Sequence, residues 1–162
     1  MTLREISLSL PNRPGALAGV ARILAKERIN VAAISVDSSS GKGRARLVVN
    51  DPDRAVSLLS AAGYDPEVRE MLAVRLEDRA GSFLRVLEAL ARERVNVQSV
   101  AILIAREGNQ PLVALSANDL PRARRILQRA GFATRAAEGL VSNGDLLALA
   151  PTIPTESVAL LL

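Results

Sequence analysis

The fold is decided by a stretch that this chain contains twice, LPNRPGAL at residues 10–17 and LEDRAGSF at residues 76–83. Each copy ends an apolar run with strand-like character and begins a run with the apolar spacing of a helix. Each helix is followed by a closely similar phrase, KERINV at residues 26–31 and RERVNV at residues 92–97. The polar turn before each helix is therefore the candidate functional part, and the rest of the chain is its scaffold.

This recurrence indicates an internal duplication. Ten residues recur unchanged at an offset of 66, and several of them are polar, which hydrophobic patterning alone would not produce. They are Leu10, Arg13, Gly15, Val20, Leu24, Ala25, Glu27, Arg28, Asn30 and Val31. The offset has grown to 68 where Gly63-Tyr64 recurs as Gly131-Phe132. A two-residue insertion in the loop region before the second helix of the repeat explains the change.

The hydrophobic periodicity predicts the order strand, helix, strand, strand, helix, strand in each copy. The predicted strands cover residues 3–10, 30–36, 44–50, 65–70, 71–77, 96–105, 112–117 and 133–141. The predicted helices cover residues 14–28, 51–62, 82–94 and 121–130. The first strand is expected to be half-buried, with a polar face formed by Glu5, Ser7 and Ser9. This order predicts an α+β fold of two ferredoxin-like βαββαβ repeats, whose antiparallel sheets carry both helices on one face.

The repeats divide the chain into a first domain at residues 1–70, a second at residues 71–141 and an extension at residues 142–162. Domains this small are marginal alone, so the two are expected to pack together through sheet edges or helix faces. In the extension, residues 145–150 are candidates for a further strand. The apolar residues 158–162 are expected to pack on their own domain or a second chain, or to fray.

Composition argues against catalysis. The chain has no Cys and no His, which removes thiolate chemistry, the usual general base and the commonest metal ligands. No catalytic residue, metal site or cofactor is predicted.

The net charge of +4 is spread over helices with acidic residues interleaved, as on an ordinary solvated surface. No apolar run reaches the roughly 20 residues that span a bilayer, and the start does not look like a signal peptide, so a cytoplasmic protein is expected.

The repeated turn carries groups that suit an amino acid. Asn12 is a candidate helix N-cap, Pro14 suits the first helical turn, and Gly15 allows a tight turn or close approach of a ligand. A helix N-terminus favours a carboxylate, and Asp78 offers a carboxylate to an ammonium group. Asn30 and Asn96 are expected to neighbour the turns. The alternative is that all these residues are caps, turns and helix terminators.

NRPGAL at residues 12–17 with INV at residues 29–31 resembles the ACT domain, the small-molecule regulatory module of amino acid metabolism. DRAG at residues 78–81 with VNV at residues 95–97 looks like the same module with Ala in place of Pro. The resemblance covers about residues 3–141. It implies regulatory binding of amino acids between paired domains. The first site would comprise Asn12, Arg13, Pro14, Gly15, Ala16, Leu17, Asn30 and Val31, and the second Asp78, Gly81, Ser82, Phe83 and Asn96.

The second copy departs from the pattern at Ala80 and carries the bulky Phe83, so its site would take a different ligand or serve as a structural partner. Leu10 stands where some serine-binding members carry a His. The resemblance implies a stand-alone sensor that binds an amino acid, forms a homo-oligomer such as a dimer, and acts on a metabolic enzyme.

Three other functions remain as alternatives. The first copy also resembles the small subunit of acetolactate synthase, which suggests a regulatory subunit of a biosynthetic enzyme. RNA-recognition motifs share the topology, but they stack bases on aromatic residues that the central strands lack here. Acylphosphatases share the fold too, but the turn around Arg13 lacks their loop pattern. Neither nucleic acid nor a membrane is therefore expected as a partner.

Overall fold

The computed structural model describes residues 3–37, 42–107 and 110–135. These residues form an α+β fold with four helices and an antiparallel sheet, consistent with a ferredoxin-like arrangement. The elements in chain order are β1 Leu3–Pro11, α1 Ala16–Lys26, β2 Val31–Asp37, β3 Lys42–Val49, α2 Pro52–Ala61, β4 Glu67–Arg75, α3 Ser82–Arg92, β5 Val97–Glu107, β6 Gln110–Ala117, α4 Leu120–Arg129 and β7 Thr134–Arg135. The predictions for residues 38–41, 108–109 and 136–162 lie outside the described residues.

One prediction of the strand order is wrong, because the strands expected at residues 65–70 and 71–77 are a single continuous strand, β4. The first part of β4 pairs with β1, from Ser7 opposite Glu67 to Leu3 opposite Met71. The second part pairs with β6 from Leu72 onward and with the short β7. β4 contains no glycine or proline that could form a turn between its two parts. The chain therefore exchanges its pairing partners without a turn.

The sheet has the order β2-β3-β1-β4-β6-β5, with β7 also beside β4, and every pair is antiparallel. Each part of β4 belongs to a four-stranded arrangement, and the strands of the two arrangements correspond. The first part completes β2-β3-β1-β4, and the second part completes β5-β6-β4-β7. A β-bulge after Val31 in β2 also has a counterpart after Val97 in β5.

Two hydrophobic cores lie between the sheet and the helices. The first contains Ile6, Leu8 and Leu10 of β1, packed with Val20 and Leu24 of α1 and with residues of α2 and β3. The second contains the equivalent residues Leu72, Val74 and Leu76 of β4, packed with α3 and α4. Val20 and Leu24 of α1, and the equivalent Val86 and Leu90 of α3, are buried at the predicted apolar spacing, whereas Ala21, which the periodicity places on the same face, is exposed.

A third core lies on the face of the sheet without helices. It joins residues of both halves of the chain, and β2 lies against β5. Its members are Leu3, Ala32, Ala33, Val48, Met71, Ala73, Leu103, Leu112 and Ala114. Four of them are alanines, whose small side chains allow close approach of the two parts of the sheet. The halves therefore pack through a sheet edge and through these helix-free faces.

Glu5 lies inside this packing, although the alternation of β1 predicts a solvent-facing position. Only 3% of Glu5 is exposed. Its carboxylate accepts a hydrogen bond from the hydroxyl of Ser99 at 3.2 Å, and the Ser99 and Ser116 hydroxyls are 2.8 Å apart. These hydrogen bonds supply the partners that a buried polar group requires. They also link β1 to β5 and β6 of the other half.

Helix α2 begins as the sequence predicts, with the side chain of Asp51 accepting a hydrogen bond from the Arg54 N–H at 3.1 Å. Arg4 of β1 donates to both carboxylate oxygens of Asp53 in the first turn, at 2.7 and 2.6 Å. These hydrogen bonds hold the pKa of Asp53 below its usual value. Their small stabilising effect at an exposed carboxylate is present at neutral pH and is lost as the pH falls through that lowered pKa.

We predict that Ser99→Ala lowers the free energy of unfolding by about 1–3 kcal/mol, because it removes the hydroxyl that donates to buried Glu5. Urea denaturation measures the change. Ser57→Ala is the matched control, since it removes an exposed hydroxyl that bonds the Asp53 carbonyl. The control should change stability by less than about 0.5 kcal/mol. Equal effects of the two substitutions would contradict a structural role for the buried network.

Candidate functional site

The repeated turn is a type II β-turn in both halves. In the first, the Ala16 N–H donates to the Arg13 carbonyl at 3.3 Å, and Gly15 has a φ of +83° and a ψ of −10°. In the second, the Ser82 N–H donates to the Arg79 carbonyl at 3.3 Å, and Gly81 has the same φ. The third position of such a turn requires the left-handed conformation that glycine adopts without strain. This requirement explains why the glycine recurs.

The predicted helix start is wrong by two residues. Helix α1 begins at Ala16, its N-cap is Gly15, and no side chain caps it. Pro14 therefore lies in the turn that precedes the helix, and Asn12 is exposed ahead of that turn. In the second copy Gly81 is likewise the N-cap of α3 and Asp78 is exposed. A capping role for Asn12 or Asp78 is excluded because the type II turn separates each of them from its helix.

We predict that Ala80→Pro raises the free energy of unfolding by about 0.4–1 kcal/mol. Ala80 holds the second position of its turn, where Pro14 stands in the first copy, and its N–H donates to no backbone carbonyl of the described residues. Proline should therefore restrict the unfolded chain without cost to the folded one. The reciprocal change Pro14→Ala should lower stability by a similar amount. Urea denaturation of both variants checks the pair, and a destabilised Ala80→Pro protein would contradict the equivalence of the turns.

Asn30 does not lie beside the turn of its own half, contrary to the prediction. Strand β2 begins next to the end of β3, with Val31 opposite Val49, whereas the turn follows the β1 residue Leu10 opposite Gly43. The six residue steps from Gly43 to Val49 span about 20 Å. Asn30 instead lies at the opposite end of the sheet from the first turn, near the start of β1. Asn96 shows the same relation to its own turn, because β5 runs parallel to β4.

The backbone of each predicted Asn is held by another Asn that the sequence analysis missed. The Asn30 N–H donates to the side-chain oxygen of Asn50 at 2.9 Å, and the Asn50 N–H donates to the Asn30 carbonyl at 3.1 Å. Asn118 makes the same pair of bonds with Asn96, at 2.9 and 3.0 Å. The recurrence of Asn50-Asp51 as Asn118-Asp119 at the offset of 68 was a signal that could have identified these residues.

Four predicted site residues pack with the cores. Ala16, Leu17 and Val31 are partly buried against the first core, and Phe83 is partly buried against the second. Arg13 and Ala16 line a cleft beside the first turn, and Ser82 lines a smaller cleft beside the second. The structure thus brings one part of each predicted site to a cavity and leaves Asn30 and Asn96 elsewhere.

The first cleft has a volume of about 500 Å³, within the range of small-molecule sites. It lies where the first turn, the end of β1 and the loop between α2 and β4 meet. Its lining contains Ser7, Leu8, Ser9, Pro11, Arg13, Ala16, Arg44, Gly63, Tyr64, Asp65 and Glu67. These residues supply hydroxyl groups, two guanidinium groups and two carboxylates around a small apolar surface. Such a lining suits a polar ligand that carries both charges.

An ion pair already joins part of this lining. A guanidinium nitrogen of Arg44 is 3.9 Å from a carboxylate oxygen of Glu67, and both side chains are more than half exposed. An exposed pair at this distance is weak, so either partner can turn to a ligand at little cost.

The second cleft lies at the equivalent position and has a volume of about 140 Å³. It is lined by Arg75, Leu76, Glu77, Ser82, Arg85, Gln110, Gly131, Phe132 and Ala133. Only 6% of Ser82 is exposed, and its hydroxyl has no hydrogen-bond partner within the described part of the chain. The Arg85 guanidinium lies over the Phe132 ring, 5.6 Å from its centre.

The sequence analysis missed most of the lining of the first cleft, above all Ser9, Arg44 and Tyr64. Tyr64 was available as a signal, because Gly63-Tyr64 recurs as Gly131-Phe132 and both glycines have a positive φ. Ser9 and Arg44 carry no such mark. They lie opposite each other on neighbouring strands, and only the strand register brings them together.

No group of three or more Asp and Glu residues within the described ranges is placed to hold a metal ion. Among the same residues, no helix is both long and apolar enough to cross a membrane.

Comparison with known proteins identifies the class of domain. Residues 4–62, which contain the first turn and helices α1 and α2, match the ACT domain family model. No curated protein matches the chain.

The chain is also similar to solved structures. Protein BT0572 from Bacteroides thetaiotaomicron superposes with a TM-score of 0.79 at 24% identity, covering 86% of this chain and 96% of that one. The regulatory subunit of aspartate kinase from Thermus thermophilus, in its ligand-free form, gives a TM-score of 0.59 at 20% identity, covering 80% and 92%. The corresponding subunit from Thermus flavus gives 0.57 at 19%, covering 81% and 94%. These similarities establish the fold.

Proposed function

We propose that this chain is a stand-alone regulatory sensor built from two ACT domains, residues 1–70 and 71–141, which binds an amino acid beside its first β1–α1 turn. The observation that carries the proposal is the cleft of about 500 Å³ against that turn, lined by Arg13 and Ala16 of the segment that matches the ACT domain family model. A second domain of the same kind is supported by the corresponding strand orders β2-β3-β1-β4 and β5-β6-β4-β7 and by the shared conformation of Gly15 and Gly81.

The lining of the first cleft suits the two ends of an amino acid. Arg13 and Arg44 can each donate two hydrogen bonds to a carboxylate. Asp65 and Glu67 can accept from an ammonium group, and the Tyr64 hydroxyl can do either. A ligand with one charge would leave one of these sets without a partner.

The second candidate function is that of a regulatory subunit of an amino-acid biosynthetic enzyme. The similarity to the Thermus subunits favours it, because they are named as regulatory subunits of aspartate kinase and this chain covers more than nine-tenths of each. Amino acid binding at the first cleft is common to both functions. They differ in whether a catalytic partner binds the chain.

We expect at least one standard L-amino acid to raise the melting temperature of the purified protein. A ligand at about 100 times its dissociation constant adds roughly 2.7 kcal/mol to the free energy of unfolding. The Arg44→Ala variant should lose most of the shift, because it removes a guanidinium group from the lining. The control is Arg92→Ala, which changes an exposed arginine on α3 that pairs with Glu88 across one helical turn. If no amino acid shifts the wild-type protein, the sensor proposal is wrong.

We further propose that the chain forms a homodimer through exposed apolar side chains on β2 and β5. Ile34 and Val36 lie opposite core residues of β3, so they point to the face that carries the helices, yet about half of each is exposed. Val100, Ile102 and Ile104 of β5 are exposed as well. β2 contacts β5, so these exposed apolar residues lie on neighbouring strands, and an exposed apolar patch is typical of a protein interface.

Ile102→Lys should convert the dimer to a monomer, because it places a charge in this surface at a side chain that is 74% exposed. Sedimentation velocity measures the change. The control is Leu84→Lys, which alters another exposed apolar residue, on α3. A wild-type protein that sediments as a monomer at every concentration would exclude the proposed interface.

A further inference from the structure

The two clefts occupy equivalent positions but differ more than threefold in volume, about 500 against about 140 Å³. One cause is the residue at the fourth position of the helix. In α1 this residue is Gly19, and a Cβ atom built there would lie 3.4 Å from the Tyr64 hydroxyl. In α3 it is Arg85, whose guanidinium covers Phe132, the equivalent of Tyr64. The side chain that Gly19 lacks thus takes up space in the second cleft.

The other cause is the edge of the strand. In the second half, the Arg75 N–H donates to the Ala133 carbonyl at 3.0 Å, which closes β4 against the chain that enters β7. In the first half, the equivalent residues Ser9 and Asp65 form no backbone bond, although the structure describes both. Pairing of β1 with β4 stops at Ser7, while pairing with β3 continues to Pro11.

Ser9 therefore presents backbone groups to the first cleft. It holds the position of Arg75, so its N–H and carbonyl point away from β3, toward Asp65. An unpaired strand edge offers one donor and one acceptor that a ligand can satisfy. The ligand groups that fit are those of a zwitterion, since a carboxylate accepts from the N–H and an ammonium group donates to the carbonyl.

We propose that each chain binds one amino acid, in the cleft between the open edge of β1 and Tyr64, and that Arg85 stacked on Phe132 closes the second cleft to the same ligand. This inference rests on the proposed sensor function and adds the number of sites and the residues that select between them. Gly19 with Tyr64 marks the open cleft, and Arg85 with Phe132 marks the closed one.

Tyr64 provides a direct readout, because the chain has one tyrosine and no tryptophan. Its tyrosine emission therefore reports only on the first cleft. Each standard amino acid except tyrosine and tryptophan is titrated into the full chain, with the fluorescence recorded, and calorimetry gives the stoichiometry. We expect a saturable change in Tyr64 emission and one ligand per chain.

Two substitutions test the selecting residues. Gly19→Arg should weaken binding at least tenfold, whereas Ala18→Arg, which adds the same side chain at the neighbouring exposed position of α1, should leave it unchanged. Arg85→Gly opens space in the second cleft while the Arg75 N–H stays bonded to the Ala133 carbonyl, so a second ligand should bind with at least tenfold lower affinity than the first. Circular dichroism and urea denaturation establish that the variants are folded.

The outcomes separate this inference from the sensor function. Binding with two sites in the wild type, or binding that leaves Tyr64 emission and the Gly19→Arg affinity unchanged, overturns the inference while the sensor function stands. Absence of binding by any amino acid in calorimetry overturns both.

Discussion

The continuous pairing of β4 is the constraint on which the rest of the structure depends. One strand completes the sheet of the first half at Glu67–Met71 and begins the sheet of the second at Leu72. Met71, Leu72, Ala73 and Val74 are fully buried, with helices on one face and the third core on the other. Because both halves are built on the same strand, their relative position follows from the register of β4.

The two halves agree in what the backbone requires and differ in what the side chains supply. Gly15 and Gly81 keep a left-handed conformation, and Asn50 and Asn118 keep the bonds that hold the start of the following strand. The side chains that line the clefts differ instead. The fourth position of the helix is Gly19 in one half and Arg85 in the other, and the adjacent cavities differ in volume, about 500 against about 140 Å³.

Much of the fold follows from local sequence, because the periodicity of apolar residues located the four helices and nearly all strands. The cap at Asp51 and the glycines of the turns follow from local chemistry as well. The continuity of β4 did not, because it depends on partners far along the chain and leaves no mark at residues 70 and 71. The burial of Glu5 likewise requires Ser99, which is 94 residues away. The first cleft could not be predicted for a related reason. It lies where β1 loses its pairing with β4 at Ser9, and this depends on the register of distant strands.

The shared strand also limits how the molecule can respond to a ligand. A hinge needs a few loosely packed residues that absorb a rotation, and the junction between the halves offers none, since it lies inside paired and fully buried strand. A molecule occupying the space beside Ser9 touches the same sheet edge that β4 extends. A shift of that edge would reach the far half through the pairing of β1 with β4 and of β4 with β6, as a change in sheet twist.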